Sequence, residues 1–328
     1  HRQRIGQFSS RNRSNASAPI KLICTGSKGT QDSRINKLRF MTLSSMRDDL
    51  LCLYPGSGDT VPLNGLYLNS GLRESAGVGP LVYTNFIASI DGRIALARAD
   101  GHLQAPKAIT NPRDWRLFQE LAALSDVLIT SASQMRDIAQ RQNQDKMRDK
   151  TQDGLPVSHD LAYQDLVAFR RERGLSPQPA VAIVSASLDI PLSSLPTPAQ
   201  REVVIITGAR SDLQRQRILS KAGYRLIAVG DSERVDGAQL VAALVELNYK
   251  IMYSIGGPQI CHTLLASKQL HSLYVTSAHR LLGGTDFDTL MWGSAFATPR
   301  ALELRSLYLD PAALNGAGQS FAHYAVQG

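Results

Sequence analysis

The residues best placed to do chemistry in this 328-residue chain are a glycine pair and its successors, Gly256-Gly257-Pro258-Gln259-Ile260. Two residues without Cβ let a ligand approach the backbone, and proline at a first helical position has no N–H to lose. If a helix starts there, its first N–H groups lack intrahelical partners and carry a partial positive charge, which suits a phosphate or pyrophosphate. The same residues also make an ordinary tight strand-to-helix turn. A full G-x-G-x-x-G is not present there, so both readings stand. His102, His262, His271 and His279 are scattered without metal-ligand spacing, and only His262 adjoins the glycine turn. Asp91 precedes Gly92, a pairing that forms turns at least as readily as it marks an acid–base residue. Cys24, Cys52 and Cys261 have neither ligand spacing nor a disulfide framework. That fits a reducing compartment, and no metal site is expected.

The elements that position the turn are legible on both sides of it. Ile251 to Ile255 is a short apolar, partly β-branched run with the composition of a buried strand. After Pro258, the apolar residues Ile260, Cys261, Leu264 and Leu265 form one face of a helix. Leu273 to Thr276 reads as a second strand, closing a βαβ unit before Gly283-Gly284. Upstream, Leu81 to Ser89 is strand-like, and Asn111-Pro112 is a cap followed by a first helical position. That helix is expected to reach about Leu124 and to bury Trp115, Phe118, Leu121 and Ala122. Asp126 to Thr130 is the next strand, with a small-residue turn at Ser131 to Ser133. Residues 139–157 read as a solvated loop and 159–173 as a helix. Strands follow at 181–184, 203–207 and 226–229, with helices near 211–222, capped by Ser211, and 237–247, capped by Asp236. This alternation predicts an α/β fold, a parallel sheet covered on both faces. Residues 301–309 and 320–326 alternate like strands and are expected to pair antiparallel at a sheet edge.

The formal net charge is +8, but residues 1–40 alone hold six Arg and three Lys against Asp32, so the remainder is neutral. A basic tail on a neutral body argues against a nucleic-acid-binding face. No apolar run is long enough to span a bilayer, so no membrane partner is expected. The predicted organisation is a disordered tail over 1–40, an extended segment over 41–80 and a folded domain over 81–328. The 41–80 segment holds one short helix, Met46 to Leu53. The tail reads either as a transit-type presequence, implying an organelle, or as sequence upstream of a true start at Met41, implying the cytoplasm.

Five motifs in order carry a family resemblance: Ala88-Ser-Ile-Asp-Gly-Arg-Ile94, Ile109-Thr-Asn-Pro112, Asp126-Val-Leu-Ile-Thr-Ser-Ala-Ser133, Gly256-Gly-Pro258 and Leu281-Leu-Gly283. Together they resemble the reductase domain of riboflavin biosynthesis, the C-terminal part of the bifunctional deaminase–reductase. The resemblance spans about residues 81–284. It implies a three-layer α/β/α, dihydrofolate-reductase-like fold, with a mostly parallel central sheet and antiparallel C-terminal edge strands. The family reaction is reduction by NADPH of the ribosyl group of a phosphorylated ribosylaminopyrimidine. A homodimer is also implied. No H-x-E with a later P-C-x-x-C occurs, so the deaminase half of the bifunctional protein is not in this sequence.

Carried over position by position, the resemblance implies cofactor contacts at Ala88, Thr110, Ser133 and Asp137, and at Gly256, Gly257, Pro258, Gln259 and Ile260. It implies substrate contacts at Asn85, Ser89 and Asp91. Thr110 and Ser133 offer hydroxyls to a ribose or phosphate, although capping or turn roles suit them equally. Three positions depart from the family pattern. Ile255 stands where an acidic residue usually precedes the glycine pair, and Ala122 stands where an Arg meets the substrate phosphate. Asp137-Ile138-Ala139 replaces Asp-Asp-Pro. The cofactor side is therefore better kept than the substrate side. A reductase of another substrate, or a nucleotide-binding protein without turnover, remains the alternative.

Overall fold

The computed structural model of the chain describes residues 49–56, 58–98, 101–144, 155–157 and 163–327. In chain order the strands are β1 (Asp49–Tyr54), β2 (Thr60–Pro62), β3 (Leu81–Ser89), β4 (Ala95–Ala97), β5 (Leu103–Gln104), β6 (Val127–Ser131) and β7 (Ala180–Val184). They continue as β8 (Val203–Gly208), β9 (Arg225–Val229), β10 (Ile251–Ser254), β11 (Ser272–Ala278), β12 (Phe287–Asp288), β13 (Leu302–Asp310) and β14 (Gln319–Val326). The helices are α1 (Leu72–Ser75), α2 (Pro112–Leu124), α3 (Ala132–Gln144), α4 (Gln164–Glu172), α5 (Leu213–Lys221), α6 (Gly237–Glu246) and α7 (Pro258–Ala266).

Eleven strands form one sheet in the order β2-β1-β13-β14-β11-β3-β10-β6-β7-β8-β9. From β11 to β9 every neighbour is parallel, and from β2 to β11 every neighbour is antiparallel. A second small sheet holds β12-β4-β5. The expected βαβ unit is present, but its strands are not adjacent, because β3 lies between β10 and β11. Adjacent residues of the central strands point to opposite faces, and both faces are covered. Tyr83, Leu128 and Tyr253 pack under α2 to α5 through Leu117, Leu121, Met135, Leu166 and Leu219. Val82, Val127 and Met252 pack under α6 and α7 through Leu240, Leu244, Ile260 and Leu264. Burial on both faces explains why these strands read as unbroken apolar runs. The result is the three-layer α/β/α arrangement.

Caps set several boundaries. Asn111 accepts from the N–H groups of Arg113 and Asp114, and Pro112 follows at the first helical position, as expected. Asp236 and Gln239 form a reciprocal capping box on α6. On α5 the cap is Asp212, not Ser211. The Asp212 carboxylate accepts from Gln214 and Arg215, while the Ser211 hydroxyl binds the Gln216 side chain.

Other expectations are corrected. The helix expected from Met46 to Leu53 gives way to β1, whose Leu51 and Cys52 pair with Leu309 and Tyr308 of β13. Alternate burial of Leu50 and Cys52 shows the strand period; Met46 lies outside the described residues. The sheet therefore begins upstream of Leu81. The turn at Ser131 to Ser133 does not exist: Ser131 ends β6 and Ala132 starts α3, which runs on through 139–144. Met135, Ile138 and Ala139 bury one side of that helix. Residues 145–154 of the expected solvated loop lie outside the described residues, as do 158–162 before α4, and its end, Leu155 to Val157, is buried, with Val157 N–H donating to the Gln119 side chain at 2.6 Å. Trp115, expected inside, is 47% exposed and stacks on Phe118 at 4.9 Å. β13 and β14 do pair antiparallel, but β1 and β2 form the edge beyond them.

Candidate functional site

β10 ends between two longer-running neighbours, with Ser254 level with Thr84 in the middle of β3 on one side and with Ile129 near the end of β6 on the other. The Ile255 N–H donates to Ile129 O at 2.8 Å, which carries this alignment one residue further. Beyond that point the connections diverge. β6 runs into α3 on one face, whereas β10 turns through Gly256-Gly257 into α7 on the other. Diverging connections open a crevice at the strand ends, the usual ligand position in sheets of this kind.

Gly257 holds φ 84° and ψ −173°, a conformation essentially reserved for glycine. A Cβ there would meet nothing within 4 Å, whereas one on Gly256 would strike the end of the Ile260 side chain. No side chain caps α7, and the first bond of the helix runs from Cys261 N–H to Gly257 O at 3.1 Å. Among the described residues, no acceptor meets the N–H groups of Gln259 or Ile260. The turn is thus an open end with two free donors, as a bound phosphate requires.

The other predicted cofactor residues gather at the same end of the sheet. Ala88 is buried near the end of β3, beside Ser277 of β11. Ser133 is exposed in the first turn of α3, and Asp137 lies one turn further along. Thr110 is exposed just before α2, its hydroxyl donating to Pro106 O at 3.4 Å. The start of α2 is fixed at this end because Asn111 donates to the Gln319 side chain at 2.8 Å, and Gln319 pairs with Ala278 at the end of β11.

The predicted substrate residues divide. Asn85 is half-buried on the α2 side of β3, and its Oδ1 accepts the Tyr253 hydroxyl. Ser89 and Asp91 are committed to the chain's own architecture. The Asp91 carboxylate accepts from Ser89, from Leu282 N at 3.2 Å and from Gly283 N at 2.8 Å, and pairs with Arg93 at 2.9 Å. The Ser89 hydroxyl and then the backbone donors hold its pKa down at about 2. Arg93 in turn lies over the Phe287 ring at 4.3 Å. This latch joins the turn after β3 to the segment after β11.

Ala122 is fully buried against the sheet, so no substrate reaches that position, and half-buried Ile255 packs on the same core. His262 hydrogen-bonds Ser294 O through Nε2 at 2.8 Å and stacks on Phe296. Cys52 and Cys261 are buried free thiols; Cys24 lies outside the described residues.

One ionisable group went unread in the sequence. Asp114, in the first turn of α2, is buried, and burial pushes its carboxyl up to about 6, partly offset by a hydrogen bond from the Thr276 side chain of β11. Among the described residues no cation pairs with it. Near it stand the buried Tyr67 and Tyr253, the latter stacked on Tyr83 at 4.9 Å. An acid in a first helical turn reads as a complement to the helix dipole, and only the distant Thr276 shows that this one points inward.

Comparison with known proteins agrees with this geometry. A pyrimidine reductase-like protein from Corynebacterium diphtheriae is similar over 82% of this chain and 100% of its own, at 19% identity and a TM-score of 0.60. RibD from Acinetobacter baumannii is similar over 79% of this chain at 16% identity and a TM-score of 0.51, and this chain spans 62% of its length. No curated protein matches. The family model of the RibD C-terminal domain matches residues 80–312, from the start of β3 to just past β13. On the strength of that match, the chain belongs to the RibD C-terminal domain family, and its architecture is the dihydrofolate-reductase-like fold.

Proposed function

We propose that this protein is an NADPH-dependent reductase that delivers hydride to the ribosyl group of a phosphorylated ribosylaminopyrimidine, as in riboflavin biosynthesis. The observation that carries the proposal is the open glycine turn beside the strand-end crevice, in a chain of this family. The free N–H groups of Gln259 and Ile260 would hold the cofactor's pyrophosphate, while Ser133 and Thr110 offer hydroxyls to its sugar or phosphates. When bound, the cofactor supplies the hydride. The protein's share is to bind, orient and exclude water. Half-buried Asn85 presents a polar wall under α2, held from behind by the buried Tyr253 hydroxyl, with the buried Asp114 carboxyl near that tyrosine. We assign this wall to the substrate's heterocycle.

A second reading has its own support. Apolar Ile255 and buried Ala122 leave two positions without the charges that meet a phosphorylated sugar in relatives. A charged hydrogen bond is worth about 1.5–3 kcal/mol, so two losses predict at least about tenfold weaker binding of that substrate. This favours a reductase of a related, less anionic substrate. Following loss of reduced-nicotinamide absorbance with the ribosylaminopyrimidine phosphate and with its dephosphorylated form separates the two readings. Oxidation of NADPH with neither, in a protein that binds NADPH, would overturn both and leave nucleotide binding alone.

The exposed apolar residues Leu281, Met291 and Trp292 support a homodimer, which light scattering of the purified chain tests. Among the described residues no helix is long and apolar enough to cross a membrane. A cytoplasmic location is our proposal, with an organelle as the alternative if residues 1–40 act as a presequence.

A further inference from the structure

The segment from Thr289 to Arg300 runs along the outer side of α7, away from the sheet. It touches the start of the helix through Trp292 N–H and Pro258 O at 3.4 Å, and its middle through His262 and Ser294. The sheet-facing residues Ile260, Cys261 and Leu264 are buried, whereas His262 and Ala266 face the other way. Between that outer side and the segment lies a cavity of about 560 Å³. Its lining includes His262, Lys268, Ser294, Phe296, Thr298 and Arg300, and it contains no carboxylate.

The cationic groups in this cavity lack acidic partners among the described residues, whereas His262 is bonded to Ser294 O. Lys268 and Arg300 form no ion pair among the described residues. Arg300 Nε is buried and unbonded, and its guanidinium stands over the Phe296 ring at 5.5 Å. Phe296 stacks in turn on His262 at 5.1 Å, with the rings nearly parallel. Buried donors are normally satisfied, and an orphaned one asks for an acceptor. Arg300 held over Phe296, an exposed Lys268, an imidazole and two hydroxyls around one space, with no acid in the lining, match the oxygens of a phosphate monoester. The volume lies within the usual range of roughly 300–1,000 Å³ for small-molecule sites, larger than a bare ion needs.

We propose that this cavity is a second ligand site, binding the phosphate monoester of a nucleotide-sized molecule on the outer side of α7, separate from the strand-end crevice. The Trp292 contact at Pro258 links it physically to the glycine turn.

The test uses the full chain, with adenosine monophosphate and inorganic phosphate as probes in calorimetric titrations. Both probes should bind, the nucleotide more tightly. Lys268→Gln with Arg300→Gln should weaken both by at least about tenfold, since each removes a charge-assisted contact. Thermal unfolding shows whether that variant is folded. Ser294→Glu, which adds an acid to the lining at an exposed position, is a second route if it is not. NADPH affinity should be unchanged in the cavity variants, and probe binding should survive Gly257→Val in the crevice. Three results would overturn the proposal: no binding of either probe, binding unaffected by the cavity substitutions, or loss of probe binding in Gly257→Val. A cavity variant that loses NADPH affinity would also overturn it, by making the cavity part of the cofactor site.

Discussion

Substitution of Gly257 separates a phosphate cradle from a merely structural turn. At φ 84° and ψ −173° any side chain is strained, by about 1–3 kcal/mol. A smaller unfolded-state entropy for the substituted chain returns about 0.4–1 kcal/mol of this. Because a Cβ at this position meets nothing within 4 Å, Gly257→Ala and Gly257→Val share the strain and differ little in packing. At about 2–4 °C per kcal/mol for a domain near this size, both should melt several degrees below the parent, by similar amounts. Their cofactor affinities should differ. The helix-start attraction, about 0.3–2 kcal/mol, remains in both variants. Valine alone adds two methyl groups where the pyrophosphate comes in. NADPH should therefore bind Gly257→Val at least about tenfold more weakly than Gly257→Ala, a difference of about 1.4 kcal/mol. The assay is a fluorescence titration of all three proteins at a temperature where unfolding scans show each to be native. Equal NADPH affinities in parent, alanine and valine proteins would refute the cradle.

Three other outcomes are expected. Asp114 retains its proton in the folded protein up to about pH 6, whereas the unfolded carboxyl ionises near its ordinary 3.8. The native state then binds more protons between those values, so stability falls as pH rises through that window, by on the order of 3 kcal/mol in all. Asp114→Asn should remove the fall; parallel stability–pH curves for parent and variant from pH 4 to 7 would contradict it. Asp91→Ala should lower the melting temperature near neutrality, and the gap to the parent should close as pH drops from about 4 towards 2, where the parent's latch is itself protonated. A gap that does not change with pH would show that the charge on Asp91 is irrelevant. A chain beginning at Met41 should keep the melting temperature and NADPH affinity of the full chain, since the described sheet starts at Asp49. Unfolding of that truncated protein would place an essential contact in residues 1–40.

Much of the sheet was legible because its strands are buried on both sides, so Val181 to Val184 or Ile251 to Ile255 show as apolar runs without knowledge of neighbours. Caps were equally plain where one residue dominates, as at Asn111 and Asp236. The failures have physical causes. Leu50 to Leu53 carries apolar residues consecutively, and only pairing with β13 turns them into a strand. The polar composition of α3 conceals a narrow buried side that includes Ala132, Met135, Ile138 and Ala139. At the site, the glycine turn announced itself through residue type. The inward aim of Asp114 depends on Thr276, and the engagement of Asp91 depends on Leu282 and Gly283, both distant in sequence.

The position of β10 bears on how the chain comes to be folded at all. Ile251 lies beside Leu81 and Met252 beside Val127, so the middle of the sheet is supplied by a segment made long after both of its neighbours. While the ribosome is still producing α6, both neighbours of β3, β10 and β11, are still to come, and β6 presents an unpaired apolar edge where β10 will lie. Loops of this length close slowly, and exposed edges of this kind invite association with other chains before closure. Pairing of β10 joins β3 to β6 and delivers the glycine turn to the crevice in the same event. Interrupting the chain between β9 and β10 would therefore remove the sheet's centre rather than trim its end. The candidate site can be assembled only by a chain that has been completed past α7.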